Sequence, residues 1–409
     1  MRFPKPSRCI LLLLLALASA LVRAGNDYPL VLVHGFMGWG REELLGFKYW
    51  GGPRDLQEML DRAGHRTHTG VVGPFASNWD RACELYAQIK GGTVDYGQAH
   101  AAAHGHARYG RTYPGLYPEW GTVDERGRVR KIHLIGHSQG GQTVRVLTAL
   151  LEQGAAAERD VTPATERSPL FAGGKAWVHS VTTLAAPHDG TSLAAGVDSL
   201  LPLARAGLLG FAALAGVQPE ALPYDFKLEQ WGLRREPGES FPDYWRRVEQ
   251  SPIWQSRDVS VWDLSPDGAQ ELNRQFPAQR EVYYFSWATS ATVPLWPSGH
   301  HVPLPTLQLR FWANALFIGA YTRDEPGLVA IDAGWWENDG MVNTRSMAGP
   351  TLGSSDRIVP YRHPPQRGVW NHRGVLSGWD HLDIVGIGTV RDVDGWYVRR
   401  ARELADLPP

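Results

Sequence analysis

Only two cysteines occur in the 409 residues, Cys9 and Cys83. Cys9 precedes an apolar run close to the start, so removal of a leader would leave Cys83 alone. A chain with one cysteine has no internal disulfide, and its long loops must be held in another way, for example by a metal. Charge of one sign is missing too, with 41 Lys and Arg against 42 Asp and Glu. That balance offers no field to attract nucleic acid, which is excluded as a partner. After the first 24 residues there is no second long apolar run, no internal repeat and no low-complexity tract. Stable membrane insertion is therefore not expected.

What is present begins with an export pattern. Arg2, Lys5 and Arg8 make a basic start, and residues 10–22 are apolar and rich in Leu and Ala. The run is shorter than the roughly 20 residues of a membrane helix. Val22-Arg23-Ala24 reads as a cleavage site before Gly25. The expectation is a signal peptide at 1–24 and a secreted protein, with an uncleaved anchor as the alternative. Length alone permits two domains, but one large α/β domain with long loops, 25–409, is the simpler reading.

Short apolar runs at residues 29–33, 130–136 and 177–186 read as buried strands. After Ser138, Val144, Leu147, Leu150 and Leu151 recur at three- and four-residue steps, the spacing of a helix. Strands alternating with helices predict a mostly parallel sheet covered on both faces. Two regions depart from that plan. Residues 78–117 are rich in His, Gly, Tyr and Ala and show little core periodicity. Residues 197–217 are unusually apolar for a connection, which suits either a buried helix or a movable amphipathic lid.

Gly136-His137-Ser138-Gln139-Gly140 fits G-x-S-x-G between a strand and a helix, the context that motif requires. There a serine is pushed outward on a tight turn, and the next amide opens a helix and faces a developing oxyanion. A structural turn is the bland alternative. A serine hydroxyl needs a base and an acid that orients it, in the chain order Ser, Asp or Glu, His. His381 lies in a late loop, as that order requires, although His179, His188, His300, His301, His363 and His372 are also downstream. For the acid, Asp339 sits in a turn-rich stretch, with Asp332 and Asp324 as rivals. The glycine-rich loop 34–40 after the first strand is placed to supply a second oxyanion amide.

His100, His104 and His106 cluster downstream of Asp80, and histidine with carboxylate suits zinc. A surface turn with solvated histidines fits the same spacing.

Longer runs carry a resemblance. They include HGFMGWGREELLGFKYWGG from His34, SNWDRACELYAQIKGGTVDYG from Ser77 and AHAAAHGHARYGRTYPGL from Ala99. HSQGGQT from His137, PHDGT from Pro187, YDFKLEQWGLRREPGESF from Tyr224, ENDGMVNT from Glu337, GSSDRIVPY from Gly353 and DHLDIVG from Asp380 follow in order. In these runs the chain resembles the thermophilic bacillar lipases of the Geobacillus type, which group with the staphylococcal lipases. The resemblance implies an α/β-hydrolase fold and hydrolysis of triacylglycerol esters at an oil–water interface. It implies Ser138 as nucleophile, Asp339 as acid, His381 as base, and the amides of Phe36 and Gln139 as the oxyanion hole. It further implies a structural zinc on Asp80, His100, His106 and Asp263 that ties in an inserted region, about 77–117, and a helical lid at about 197–225. His104 matches a non-ligand histidine. A calcium site is implied only in part. Asp383 matches one ligand, while Gly388-Thr389 replaces the family's Asp-Pro pair. A short-chain esterase or polyester depolymerase would use the same triad, and a lipid-binding scaffold without catalysis would show a broken one.

Overall fold

The computed structural model describes residues 25–44, 46–196, 205, 206, 209, 210, 218 and 222–408. The leader at 1–24 and most of the expected lid at about 197–225 lie outside the described residues.

Each apolar run expected as a buried strand forms one. β1 (Leu30–Val33) and β2 (Thr67–Gly70) precede an antiparallel ribbon of β3 (Gly92–Asp95) and β4 (Tyr109–Tyr113). β5 (Ile132–His137), β6 (Val178–Leu184) and β7 (Tyr283–Ser290) follow. A second ribbon pairs β8 (Thr292–Pro294) with β9 (His301–Pro303), before β10 (Ile358–Pro360) and β11 (Trp370–Ser377). Seven of these make one sheet in the order β10-β11-β7-β6-β5-β1-β2. Every pairing within it is parallel.

A parallel sheet must be covered on both faces, and β1 shows how. Leu30 and Leu32 enter one core with Leu56 and Leu60 of α1 (Leu56–Arg62). Val31 and Val33 enter the other with Leu85 and Ile89 of α2 (Asn78–Lys90). Further along the chain come α3 (Gln98–His104) and α4 (Gln139–Gln153), and α4 adds Val144 and Leu147 to the second core. After them come α5 (Ser260–Leu264) and α6 (Val393–Ala405), which adds Trp396 and Tyr397 to the first. Burying each such aliphatic side chain contributes about 1.5–3 kcal/mol.

Residues 78–117 hold more core than their sequence suggests. The region opens with α2, whose buried side chains include Asn78, Asp80, Arg81 and Glu84 beside the apolar ones. Polar residues interrupt the apolar stripe, so the periodicity is hidden. They are buried because they are paired. Arg81, for example, donates to Thr143 Oγ1 at 2.8 Å and to the Gly73 carbonyl at 2.9 Å.

The strand order fixes where chemistry can occur. Chain direction across the sheet reverses between β1 and β5, and ligands bind at the carboxyl ends of strands beside such a reversal. Ser138 directly follows β5, and the loop from His34 directly follows β1.

Candidate functional site

Ser138 is the residue between β5 and α4, with φ 55° and ψ −132°. A non-glycine residue in this region is strained by on the order of 1–3 kcal/mol. Close packing holds it there. A Cβ on Gly136 would lie 2.3 Å from the Gly140 carbonyl oxygen, and one on Gly140 would lie 2.2 Å from that of Val33. Only glycine lets strand, turn and helix approach this closely. Gln139 opens α4, so its amide has no acceptor within its own helix.

Asp339 and His381 meet in space although 42 residues separate them. His381 Nδ1 lies 2.8 Å from Asp339 Oδ2. The same oxygen accepts from Thr289 Oγ1 at 2.7 Å, and Oδ1 accepts from the amides of Met341 at 3.0 Å and Val342 at 2.9 Å. Four donors around a fully buried carboxylate fix it as an acceptor. Nδ1 of His381 therefore carries the proton and Nε2 has the free lone pair. Of the rival acids, Asp332 pairs with exposed Arg345 at 3.8 Å and caps its own turn. Asp324 is exposed as well.

A second chain of bonds connects the parts. The Gly35 amide donates to Tyr49 Oη at 2.9 Å. Tyr49 Oη is 2.6 Å from His137 Nδ1, and His137 Nε2 is 2.8 Å from the His381 carbonyl. Burial, and then His381 beside it, holds His137 well below the usual histidine range, so its ring is neutral. A carbonyl only accepts. Nε2 of His137 is therefore the donor, and Nδ1 accepts from the Tyr49 hydroxyl. Neither Tyr49 nor Thr289 was indicated by the sequence pattern. Their signal is only that they sit beside the glycine-rich loop and at the end of a core strand.

Ser138, His381, Phe36 and Tyr49 line one cavity of about 210 Å³, with Met37, Trp39, Phe311, Met341 and Leu382 as apolar walls. Ala206 and Gly210, from the segment expected as a lid, line it too. A larger space of about 570 Å³, between Phe285, Trp287, Tyr361 and the end of α6, is lined by His363, one of the other downstream histidines, but by neither Ser138 nor His381.

The structure brings together Asp80, His100 and His106 but corrects the fourth member. It is Asp258, not Asp263. His100 Nε2 lies 3.3 Å from Asp80 Oδ1 and 3.2 Å from Asp258 Oδ1, and His106 Nε2 lies 3.1 Å from Asp258 Oδ2 and 3.9 Å from Asp80 Oδ1. Asp263 is occupied elsewhere. Its Oδ2 accepts from the Asn78 amide at 2.6 Å and so serves the first turn of α2. Both aspartates lie in one short stretch, five positions apart, so position in the sequence does not tell the residue implied by the resemblance from its neighbour. His104 packs against His100 with the rings tilted, 4.5 Å between centroids, and stays outside the group.

The group can hold a metal ion. Asp80 Oδ1, His100 Nε2, His106 Nε2 and Asp258 Oδ2 are buried atoms without a well-formed hydrogen bond. Buried polar atoms are rarely left so, and four converging orphans indicate a shared partner. Bonds of about 2.0–2.1 Å to a tetrahedral ion put ligand atoms about 3.3 Å apart, close to the spacing found. The outer atoms are tied down: His106 Nδ1 faces the Ala107 carbonyl at 2.9 Å, and Asp80 Oδ2 accepts from Gln230 at 2.8 Å. With no metal, burial would lower His100, but the close carboxylates of Asp258 and Asp80 outweigh it and push it up to about 10.

Asp383 does not fit a calcium ligand. Its Oδ2 accepts from the Asp380 amide at 3.0 Å and faces Arg391 Nε at 3.3 Å. The Arg391 guanidinium thus engages one of the two oxygens that Asp383 could offer to a divalent ion.

A parallel sheet flanked by helices, with a strained serine between strand and helix, is the mark of the α/β lipase fold class. A model of the lipase-like C-terminal domain family matches residues 26–407, and the chain belongs to that family. It is 36% identical to Lipase 2 of Staphylococcus aureus over 389 residues, 93% of this chain and 53% of that protein. It thus spans about half the length of the curated relatives it matches, and the staphylococcal resemblance holds. Among solved structures, lipase 1 from Pelosinus fermentans is similar with a TM-score of 0.87 and 52% identity, covering 93% of this chain and 99% of that one. EstA from Clostridium botulinum is similar with a TM-score of 0.89 and 46% identity, covering 100% of this chain and 92% of that one.

Proposed function

We propose that the chain is a secreted lipase that hydrolyses carboxylic esters of triacylglycerols through an acyl-enzyme on Ser138. The observation that carries this is the ordered pair His381–Asp339, which leaves Nε2 of His381 as a base in the same cavity as the strained Ser138. His381 takes the serine proton as Oγ attacks the ester carbonyl, and Asp339 holds the tautomer and stabilises the imidazolium. The amides of Phe36 and Gln139 receive the oxyanion, each typically worth about 2.7–4 kcal/mol. The protonated His381 gives its proton to the leaving alcohol. Water, activated by the same base, then releases the fatty acid.

Zinc is the metal that suits two imidazoles and two carboxylates in a closed four-ligand set. Asp80, His100, His106 and Asp258 would hold it. With all four positions taken by protein the ion's role is structural, tying the inserted region at about 77–117 to the loop before α5. The apolar segment at about 197–225 acts as the lid. Ala206 and Gly210 beside the serine support that reading. Export follows removal of residues 1–24, and 25–409 forms one domain. Among the described residues no helix is long and apolar enough to cross a membrane.

A pH-stat titration of acid released from emulsified tributyrin and olive oil tests the proposal. Release from both oils, abolished in Ser138→Ala, is the expected result. Release from tributyrin alone would make the protein a short-chain esterase, and none from either would overturn the reading.

A further inference from the structure

Three electron-rich groups in the loop that carries His381 point at one cation. Arg391 Nη2 donates to the Gly378 carbonyl, and Nε faces Asp383 Oδ2 at 3.3 Å. The guanidinium carbon lies 4.8 Å from the centre of the Trp379 ring. Gly378, Trp379 and Asp383 bracket His381 on both sides. The Asp383 carboxylate, 6% exposed, also receives the Asp380 amide and so closes the turn around the histidine. The other side of the loop is closed by Asp380, which accepts from the Leu382 amide at 2.9 Å and from Gln308.

A calcium ligand set would offer six to eight oxygens to the ion. Here Asp383 is met by a side chain that is always charged, offers five donors in a fixed plane and needs no recruitment from solution. The short segment that brings it is itself held, because the Arg391 amide donates to Thr389 Oγ1.

We propose that Arg391 is a built-in cation that positions the His381 loop, so that catalysis requires no calcium. This rests on the hydrolase reading above. Arg391 touches neither substrate nor the reacting atoms and acts through Asp383 and Gly378. A shift of the base by about 1 Å costs up to about 100-fold in rate. The effect should therefore fall on kcat and leave KM nearly unchanged.

The test measures tributyrin hydrolysis by the zinc-loaded full chain, as wild type, Arg391→Ala and Arg391→Lys, with and without millimolar calcium chloride or guanidinium chloride. Wild-type kcat is expected to be indifferent to calcium. In Arg391→Ala, kcat should fall about 10- to 100-fold and recover in part with either added cation, with Arg391→Lys in between. Wild-type activity that rises several-fold with calcium would overturn the inference without using any variant. An Arg391→Ala enzyme with unchanged kcat, or one that no cation improves, would overturn it as well. Absence of hydrolysis by the wild type would overturn the hydrolase reading instead, so the two failures are distinguishable.

Discussion

Two groups in this molecule are built from the same side chains, histidine and aspartate, and they differ in what their atoms face. At Asp339 every acceptor site is used, by His381, Thr289 and two amides. At Asp80 and Asp258 one oxygen of each carboxylate, and one nitrogen each of His100 and His106, are buried without a proper donor or acceptor. The first arrangement aims a proton donor at a fixed anion and frees the opposite ring nitrogen, which is what a general base requires. The second brings four unpartnered ligand atoms together, an arrangement that could hold a metal ion. Residue type does not separate the two jobs, but hydrogen-bond satisfaction does.

The sharpest way to break the comparison is at the satisfied pair. Asp339→Asn keeps the shape but puts the wrong tautomer on His381. The turnover number is expected to fall by about 10⁴-fold while the melting curve moves little. A loss below tenfold in steady-state assays would show that the pair does not orient the base.

The orphaned cluster offers a paired test. Asp258→Asn removes a ligand, so zinc measured by elemental analysis should drop from one per chain and the melting temperature should fall by about 5 °C or more. Asp263→Asn should retain the zinc, because that side chain caps α2. Retention by the first variant and loss by the second would reverse the assignment.

The smallest effect is expected at Tyr49→Phe. It leaves Nδ1 of buried His137 without its donor, at a cost of about 1–3 kcal/mol in stability. Chemical denaturation reads this directly, and kcat should drop severalfold because the chain of bonds from Gly35 through Tyr49 to His137, which steadies the His381 carbonyl, is broken. An unchanged midpoint would remove the link between the glycine-rich loop and the base.

The serine was legible because its motif demands a strand, a turn and a helix in immediate succession, and all three are written in adjacent residues. Strands β1, β5 and β6 were legible because a parallel strand buried on both faces reads as a continuous apolar run, while β2, with its polar Thr67-His68-Thr69, gave no such run. The helix α2 was not, since Asp80, Arg81 and Glu84 break its stripe and are buried through partners far away in sequence. Asp258 was missed for a related reason. Nothing local distinguishes it from Asp263, and only the fold decides which one turns toward His100 and His106. Arg391 is invisible to motif reading altogether, because its meaning lies in what surrounds the guanidinium.

The most direct test of the catalytic claim is covalent labelling of the zinc-loaded protein with a fluorophosphonate ester, followed by peptide mass spectrometry. The account predicts one label per chain, on Ser138, with labelling greatly slowed in His381→Ala. Labelling at another serine, or none with the fold and the zinc intact, would contradict it.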